Sequence, residues 1–364
     1  MKSIKKTTLA MLAIFYKLKV IAIYSVAIMM FSHFAHSQSV TYSGFVDAYY
    51  SYNTATPNSK SNKLRNFDTP ENLFTLSLAE LVIQKTASPI GFRMDLDYGA
   101  TNDVVQPAST SSLSLLQQAY VTAVLPVGAG LTVDVGKFVT HMGYEVIESK
   151  DNANYSRSFL FAYAIPYYHT GIRLCYPVLS NLTATLHVVN GWNSTLHIDN
   201  SKSIGATLNY APTGSTGIIF NGMWGHENLA AGENGARNVY DFIVNHTLSD
   251  KISLGLNADY GEAGTIAGLA TWKGVAVYGK YTVDTLSAIA VRAEVYNDPI
   301  GYSTGIAGTL KEVTLTLEHK LFNQMIVRAE MRDDMATSPV FDNGAKLSVD
   351  SNQLTFLVGL VVPF

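Results

Sequence analysis

Hydrophobic side chains recur at every second position through most of this chain, and this alternation is the feature that most limits its fold. From Ile90 to Gly99 the even positions carry Ile, Phe, Met, Leu and Tyr, while the odd positions carry Gly, Arg, Asp, Asp and Gly. The same period recurs at 204–210, 252–260, 289–295, 325–331 and 354–364. Successive side chains of a β-strand point to opposite faces, so each segment predicts a strand with one apolar and one polar face.

Extending this rule along the chain predicts sixteen strands. Their ranges are 40–53, 73–84, 90–100, 113–125, 130–140, 168–177, 182–192, 202–211, 216–225, 237–248, 251–260, 271–282, 286–296, 309–320, 324–334 and 351–364. Short and long connections alternate between them, which is typical of an up-and-down outer-membrane barrel with both termini in the periplasm. We therefore expect an all-β, transmembrane antiparallel β-barrel of about 16 strands with short periplasmic turns and long extracellular loops. The alternation slips at 78–81 and 136–138, which predicts β-bulges there.

The scarcity of charge separates this barrel from its main competitor, a soluble β-sandwich. Charged residues form 15% of the chain, against roughly 25% in typical soluble domains. A sandwich would expose Lys and Glu on its polar faces, whereas these faces carry mostly Gly, Ser, Thr and Asn. If the apolar faces meet lipid, the sheet must close, because unpaired edge groups cost several kcal/mol each in hydrocarbon.

The N-terminus predicts export. Lysines precede an apolar run over 20–31 that is too short to cross a bilayer and that ends in small residues at Ala35 and Ser37. We interpret residues 1–37 as a secretory signal peptide cleaved before Gln38, with an uncleaved anchor as the alternative, and 38–364 as a barrel in the bacterial outer membrane, reached through the periplasm. Loss of five lysines leaves 20 basic against 28 acidic residues. The resulting net charge of −8 disfavours nucleic-acid partners.

The C-terminus and the aromatic residues support this location. Hydrophobic side chains occupy every second position from Leu354 to Phe364, which resembles the signal that the outer-membrane barrel assembly machinery recognises. This machinery and outer-membrane lipid are therefore expected partners. Aromatic residues of apolar parity form two bands, with Tyr98, Trp192, Trp224, Tyr240 and Tyr260 near the long loops and Phe92, Tyr176 and Tyr210 near the short turns.

Short motifs across the chain point to a family. They are Gly136-Lys137-Phe138, His141-Met142-Gly143-Tyr144-Glu145, Asn154-Tyr155-Ser156-Arg157-Ser158, His169-Thr170-Gly171, Asn190-Gly191-Trp192, Arg292-Ala293-Glu294 and Arg328-Ala329-Glu330. Together they resemble the putative beta-barrel porin-2 (OmpL-like) family of bacterial outer-membrane porins. The resemblance implies a pore-forming outer-membrane protein of a Gram-negative bacterium and names no solute.

The candidate filter is the connection 141–167, the longest of the predicted loops. Its position resembles that of the loop that folds inward in general porins. Its charged residues are Glu145, Glu148, Asp151 and Arg157, and the facing walls offer Arg93, Arg173, Arg292, Arg328 and Arg332 among Asp95, Asp97, Glu294 and Glu330. Opposite charges across the lumen would impose a transverse field on passing solutes. Alternatively, Arg292 with Glu294 and Arg328 with Glu330 form cross-strand salt bridges that stiffen the wall.

These observations predict a porin that passes small hydrophilic solutes or ions by diffusion. The competing class is a surface receptor or adhesin that uses the barrel as an anchor. An enzyme is not expected, because the histidines are scattered and HExxH does not occur; no cofactor or metal is expected either. The apolar segment 159–166 either packs against the inner wall or covers a neighbouring subunit, which leaves a homo-oligomer open.

Overall fold

The computed structural model describes residues 39–106, 114–195, 201–229, 233–344 and 348–364. Sixteen antiparallel strands close into one barrel, and each pairs with its neighbours in chain order. They are β1 Thr41–Asn53, β2 Leu73–Lys85, β3 Ile90–Tyr98, β4 Leu116–Leu125, β5 Leu131–Val139, β6 Tyr168–Leu179, β7 Leu182–Val189, β8 Ser203–Thr213, β9 Thr216–Leu229, β10 Glu233–Ser249, β11 Ile252–Thr265, β12 Gly268–Thr282, β13 Ser287–Asp298, β14 Gly308–Leu321, β15 Met325–Ala336 and β18 Asn352–Pro363. The predicted signal peptide lies outside the described residues.

The closed antiparallel barrel of sixteen strands confirms the predicted fold. Two further strands, β16 Phe341–Asn343 and β17 Ser348–Asp350, pair with each other in the last long connection. Three residues are too few to display a period of two, so the alternation could not reveal them.

The barrel is sealed between its first and last strands. Phe45 pairs with Pro363, and the pairing continues to Asn53 opposite Thr355. The Phe364 amide donates to the Gly44 carbonyl at 2.9 Å, and the Gly44 amide donates to the Phe364 carbonyl at 3.0 Å. The terminal residue of the predicted assembly signal therefore lies at the seam, where backbone hydrogen bonds join the first and last strands.

Five register shifts interrupt the ladder of the described strands, and two of them lie away from the short turns. Pairing between β1 and β2 shifts at Ser77, one residue before the predicted slip at 78–81. Pairing between β3 and β4 shifts at Gln117. The predicted bulge at 136–138 is wrong, because β5 keeps continuous register with β4 and β6 there. The break in the alternation coincides with Gly136, whose φ of 141° is a backbone conformation open mainly to glycine.

The outer face carries exposed apolar residues, among them Tyr98, Tyr210 and Tyr260 of the predicted aromatic bands. The prediction for Trp192 is wrong. Strand β7 ends at Val189, so the alternation no longer applies, and the Trp192 ring meets Trp272 with centroids 6.3 Å apart. Trp192 also packs against an inward core.

In the part of the chain that the structure describes, helical structure is confined to the connections. Helix α1 covers Ala100–Val105, a 3-10 turn covers Ser149–Asp151, and a π-helical turn covers Leu160–Ala164. None of the helices in the described ranges has the length and apolar character that a membrane crossing needs.

Candidate functional site

The connection 141–167 contacts inward-facing side chains on opposite sides of the barrel. It leaves β5 after Val139 and returns to β6 at Tyr168. The Gly143 amide donates to Asp241 Oδ2 on β10 at 2.8 Å, and the Tyr155 hydroxyl donates to Asp47 Oδ1 on β1 at 2.7 Å. We call this segment the inner loop. Its contacts extend from β8 through β15 to β1.

Two carboxyl groups of the barrel wall each accept hydrogen bonds from two successive backbone N–H groups of the inner loop. Glu294 accepts the amide hydrogens of Phe159 and Leu160 at 2.7 and 2.6 Å. Glu330 accepts those of Tyr155 and Ser156 at 2.6 and 3.0 Å. Each carboxyl group thus satisfies two successive buried N–H groups, which would otherwise be left without partners.

The arginine two residues before each glutamate donates hydrogen bonds to carbonyl oxygens of the inner loop. Arg292 donates to the Ser156 carbonyl at 2.6 Å, and Arg328 donates to the carbonyls of Ser149 and Asn152. Arg332 likewise donates to the Arg157 carbonyl. The two Arg-Ala-Glu motifs therefore bind the loop backbone in the same way: the glutamate accepts from its N–H groups, and the arginine donates to its C=O groups. We call the inward face of β13, β14 and β15 the docking wall.

The predicted salt bridges within these motifs are wrong. Arg292 pairs with Glu145 of the inner loop and with Glu312 of β14, both at 2.6 Å. Arg328 pairs with Glu318 at 2.7 Å. The carboxylates of Glu294 and Glu330 are instead occupied by inner-loop amides, so each arginine pairs with another carboxylate.

Two charged residues of the inner loop stabilise the loop itself. Glu145 accepts the Ser158 amide at 2.7 Å and the Ser158 hydroxyl at 2.6 Å. Arg157 donates to the carbonyls of Val146, Tyr155 and Ile147. Its burial lowers the pKa of the guanidinium, and the nearby Glu145 carboxylate opposes that shift. These contacts hold the turn of the loop closed.

Glycines on the walls make room for the largest loop side chains. A Cβ at Gly255 would lie 2.4 Å from the Tyr144 ring, and a Cβ at Gly359 would lie 2.5 Å from the Tyr155 ring. At Gly205 the nearest atom, in the His141 ring, would be 2.9 Å away. Contacts under 3.0 Å require something to move. The absence of a side chain is therefore what lets the loop lie this close to the sheet.

The apolar segment 159–166 packs inside the barrel, as the first of its two alternatives predicted. Phe159, Leu160 and Ala164 are fully buried, and they belong to one hydrophobic cluster with Trp272 and other wall residues. The Trp272 indole N–H donates to the Ala164 carbonyl at 3.0 Å.

Burial divides the eleven predicted filter residues into two sets. Arg93 on β3 and Arg173 on β6 keep side-chain exposures of 35% and 25%, although they pair with Asp95 and Asp134. Asp151 keeps 55%, and Glu148 is half-buried. The buried set comprises Glu145, Arg157, Arg292, Glu294, Arg328, Glu330 and Arg332. The wall carboxylates Asp95 and Asp97 are buried as well.

Glu148 lies where several carboxyl groups gather. Its Oε1 accepts the Gln117 amide at 2.9 Å. Burial raises the pKa of this carboxyl, and the nearby carboxylates of Asp95 and Asp151 raise it further. The Gln117 bulge therefore turns an additional side chain toward the inner loop.

Three histidines that look unrelated in sequence meet at the start of the inner loop. The His141 and His187 rings stack with centroids 4.0 Å apart, and His169 lies 5.6 Å from His141. Neither ring nitrogen of His187 has a hydrogen-bond partner in the described residues. Burial lowers the pKa of His141 well below its usual value, and the neighbouring histidines add to the effect. The pairing of β5, β6 and β7 brings these histidines together, so their spacing in the sequence could not predict the cluster.

The parallel stacking of His141 on His187 is unsuited to metal binding, because in-plane lone pairs of stacked rings cannot converge on one ion. In agreement, no group of three or more His, Cys, Asp or Glu within the described ranges has the arrangement of a metal site.

Known structures share this architecture at low sequence identity. An anion-selective porin from Comamonas acidovorans matches with a TM-score of 0.61 and 12% identity, over 90% of this chain and 100% of that chain. The outer membrane channel DcaP of Acinetobacter baumannii gives 0.60 and 11%, over 91% and 98%. Salmonella typhi OmpF gives 0.58 and 13%, over 90% and 98%. No curated protein matches the chain.

At these identities the likeness establishes the fold, and the family rests on a separate match. The model of the family described as "Putative beta-barrel porin-2, OmpL-like" matches residues 39–364. The match covers the whole barrel, including the inner loop and both Arg-Ala-Glu motifs. The chain therefore belongs to the beta-barrel porin-2, OmpL-like family of outer-membrane porins.

Proposed function

We propose that this porin passes small hydrophilic solutes or ions by passive diffusion, and that the inner loop narrows the path and filters solutes by charge. The observation that carries the proposal is the fixed attachment of the inner loop to the docking wall. A barrel of sixteen strands is wide enough for an aqueous channel unless its lumen is filled. A loop bound to one side of the lumen reduces that width without requiring a mobile gate.

The remaining path runs along the opposite side of the lumen. Four inward threonines there are half-buried, namely Thr132, Thr183, Thr185 and Thr207. We call this surface the threonine wall. Hydroxyl groups of this kind replace part of a solute's hydration without binding it tightly. Arg173 lies on the same side and Arg93 lies on β3, so these two cations, together with Asp151 and Glu148, are the proposed filter.

Planar-bilayer recording of the purified mature protein tests the proposal. We expect discrete current steps and a reversal potential that moves toward cation preference in the Arg93→Gln and Arg173→Gln variants. The matched control is Lys251→Gln, which neutralises an exposed lysine in a short turn. An unchanged ion preference would remove both arginines from the filter. Silence from correctly folded protein would contradict the pore and favour the receptor or adhesin.

The assembly partners belong to the proposal as well. Outer-membrane lipid would meet the apolar outer face, and the assembly machinery would read the strand that ends at Phe364. One similar structure is a trimer form of Vibrio cholerae OmpT, and we propose a homo-oligomer for this chain on that analogy. Cross-linking of the protein in native membranes tests it, and a single monomer band would contradict it.

A further inference from the structure

A polar cavity of about 390 Å³ lies between the inner loop and the short-turn ends of β10 to β15. Loop residues 150–154 form one side of it, and Asn245, Ser253, Lys280 and Lys320 lie on the other. Known binding sites for small molecules have volumes of about 300–1,000 Å³. The cavity is therefore large enough for one small solute, and it lies near the periplasmic end of the barrel.

The charge around this cavity is unbalanced. Its lining includes four cations, Lys150, Lys280, Lys320 and Arg328, and three carboxylates, Glu145, Asp151 and Glu318. Glu145 is already neutralised by Arg292, which lies outside the lining. The two remaining carboxylates face four cations, because Asp151 pairs with Lys150 and Glu318 is shared between Arg328 at 2.7 Å and Lys280 at 3.5 Å.

Lys320 is the cation without a carboxylate partner among the described residues, and its side chain is exposed. Elsewhere in the same lining, the Asn245 amide and the Ser253 hydroxyl are also exposed and form no side-chain hydrogen bond within the described ranges. Ammonium, amide and hydroxyl groups thus remain available around one cavity. An ammonium pairs with a carboxylate, while an amide and a hydroxyl exchange hydrogen bonds with hydroxyl groups.

We propose that this cavity, the periplasmic vestibule, binds a small hydroxylated carboxylate of the sugar-acid class. Lys320 binds the carboxylate, and Asn245 and Ser253 bind hydroxyl groups. The inference deepens the proposed function, since it names the class of solute that the pore would concentrate. It also departs from the whole-chain charge of −8, which would suggest cations, because the local surplus of positive charge decides what the vestibule holds.

Titration calorimetry on the detergent-folded mature protein at low salt tests the vestibule with three probes of matched size. Gluconate is the anion, glucose the neutral probe and glucosamine the cation. We expect gluconate to bind about tenfold more tightly than glucose, which corresponds to one charge-assisted hydrogen bond, and glucosamine not to bind. Equal affinities for gluconate and glucose would overturn the proposal, as would preference for glucosamine.

Three variants locate the site. Lys320→Gln should weaken gluconate binding about tenfold without changing glucose binding. Asp151→Asn removes a carboxylate from the lining and should strengthen gluconate binding. Lys251→Gln removes a lysine outside the lining and should change neither. Equal gluconate affinity in Lys320→Gln and the parent protein would overturn the assignment.

Binding is measured here without current, so the two proposals fail separately. Binding of gluconate by a protein that gives no current would overturn the pore and support the vestibule. Current with no gluconate binding would overturn the vestibule and leave the pore standing.

Discussion

The docking wall and the threonine wall belong to one barrel, yet they treat polar groups in opposite ways. On the docking wall the arginines and glutamates are buried, and each is engaged by the inner loop or by another charge. On the threonine wall the side chains are small, uncharged and half-buried. A charge that faces the lumen is therefore not necessarily a charge that faces the solute. Burial by the loop decides which it is.

This difference revises the electrostatic picture of the pore. Buried carboxylates remain stable only where they are hydrogen-bonded or paired. Glu294 and Glu330 meet this condition through the loop amides, and Arg292 and Arg328 meet it through carboxylates and loop carbonyls. The densest charge of the lumen thus fixes the loop, and the proposed filter is confined to the sparser exposed charge.

The largest expected effect comes from removing both carboxylates of the docking wall. Glu294→Ala with Glu330→Ala leaves four loop amides without acceptors, at about 1–3 kcal/mol for each unsatisfied group. We expect the loop to detach and the single-channel conductance to rise severalfold in planar bilayers. The matched control is Glu262→Gln, which changes a carboxylate that bonds Asn238 and not the inner loop. Parent-like conductance of the folded double variant would contradict the role of this wall.

A smaller effect is expected where a glycine receives a loop ring. Gly359→Ala places a methyl group 2.5 Å from the Tyr155 ring and should force the loop away from β18. Overpacking of this kind costs about 1–3 kcal/mol. We expect a lower thermal unfolding midpoint, measured by gel mobility, together with noisier channel currents. Gly217→Ala is the control, since its nearest neighbouring atom is 4.0 Å away. Equal effects of the two substitutions would contradict the conclusion that Gly359 makes room for the Tyr155 ring.

The strands and their closure could be predicted because they follow a short-range rule. Lipid requires apolar side chains on one face, so a period of two marks every strand of sufficient length. The C-terminal Phe364 and the alternation of short and long connections likewise lie in the sequence itself. The extra pair β16 and β17 and the inward position of Trp192 fell outside this rule, because neither belongs to a long alternating strand.

The partners of the lumen charges could not be predicted in this way. Arg292 and Glu145 are separated by 147 positions, and Tyr155 and Asp47 by 108. The alternation of a strand predicts which face a side chain lies on, but it does not predict which loop atom will contact that side chain. The repeated Arg-Ala-Glu motifs did identify the important wall, but the nearest charged neighbour in sequence was the wrong partner for each.

A pH change should separate the two sides of the lumen by acting on His141. Burial, with help from His187 and His169, lowers the pKa of this histidine well below its usual value of about 6.5. The docked loop therefore favours neutral His141. The resulting stabilisation of the docked loop is fully present above about pH 6.5. It is lost progressively as the pH falls from there toward the lowered pKa, because an undocked loop binds the proton more readily. Arg173, the charged group that faces the histidines from β6, disfavours protonation as well.

We expect the parent protein to show larger or noisier currents at pH 5 than at pH 7.5, and we expect His141→Phe to lose this dependence. Phenylalanine keeps a ring over Gly205 and His187 but cannot be protonated. An identical pH response in both proteins would assign the effect to other groups, with Glu148 as the next to test. Docking of this variant at pH 7.5 is checked by its conductance, which should equal that of the parent.

The smallest expected effect distinguishes the walls by a single hydroxyl. Thr316 on β14 donates to Glu330 Oε2 at 2.7 Å and accepts from the Asn154 amide at 2.7 Å. Thr316→Val removes both bonds at nearly constant volume, and we expect a loss of about 1–2 kcal/mol, seen as a lower thermal midpoint. Thr185→Val makes the same change on the threonine wall, where the hydroxyl has no protein partner in the described ranges, and should leave the midpoint unchanged. If both variants lost equal stability, the two walls would not differ in how they hold polar groups, and burial by the loop would no longer explain which lumen residues meet the solute.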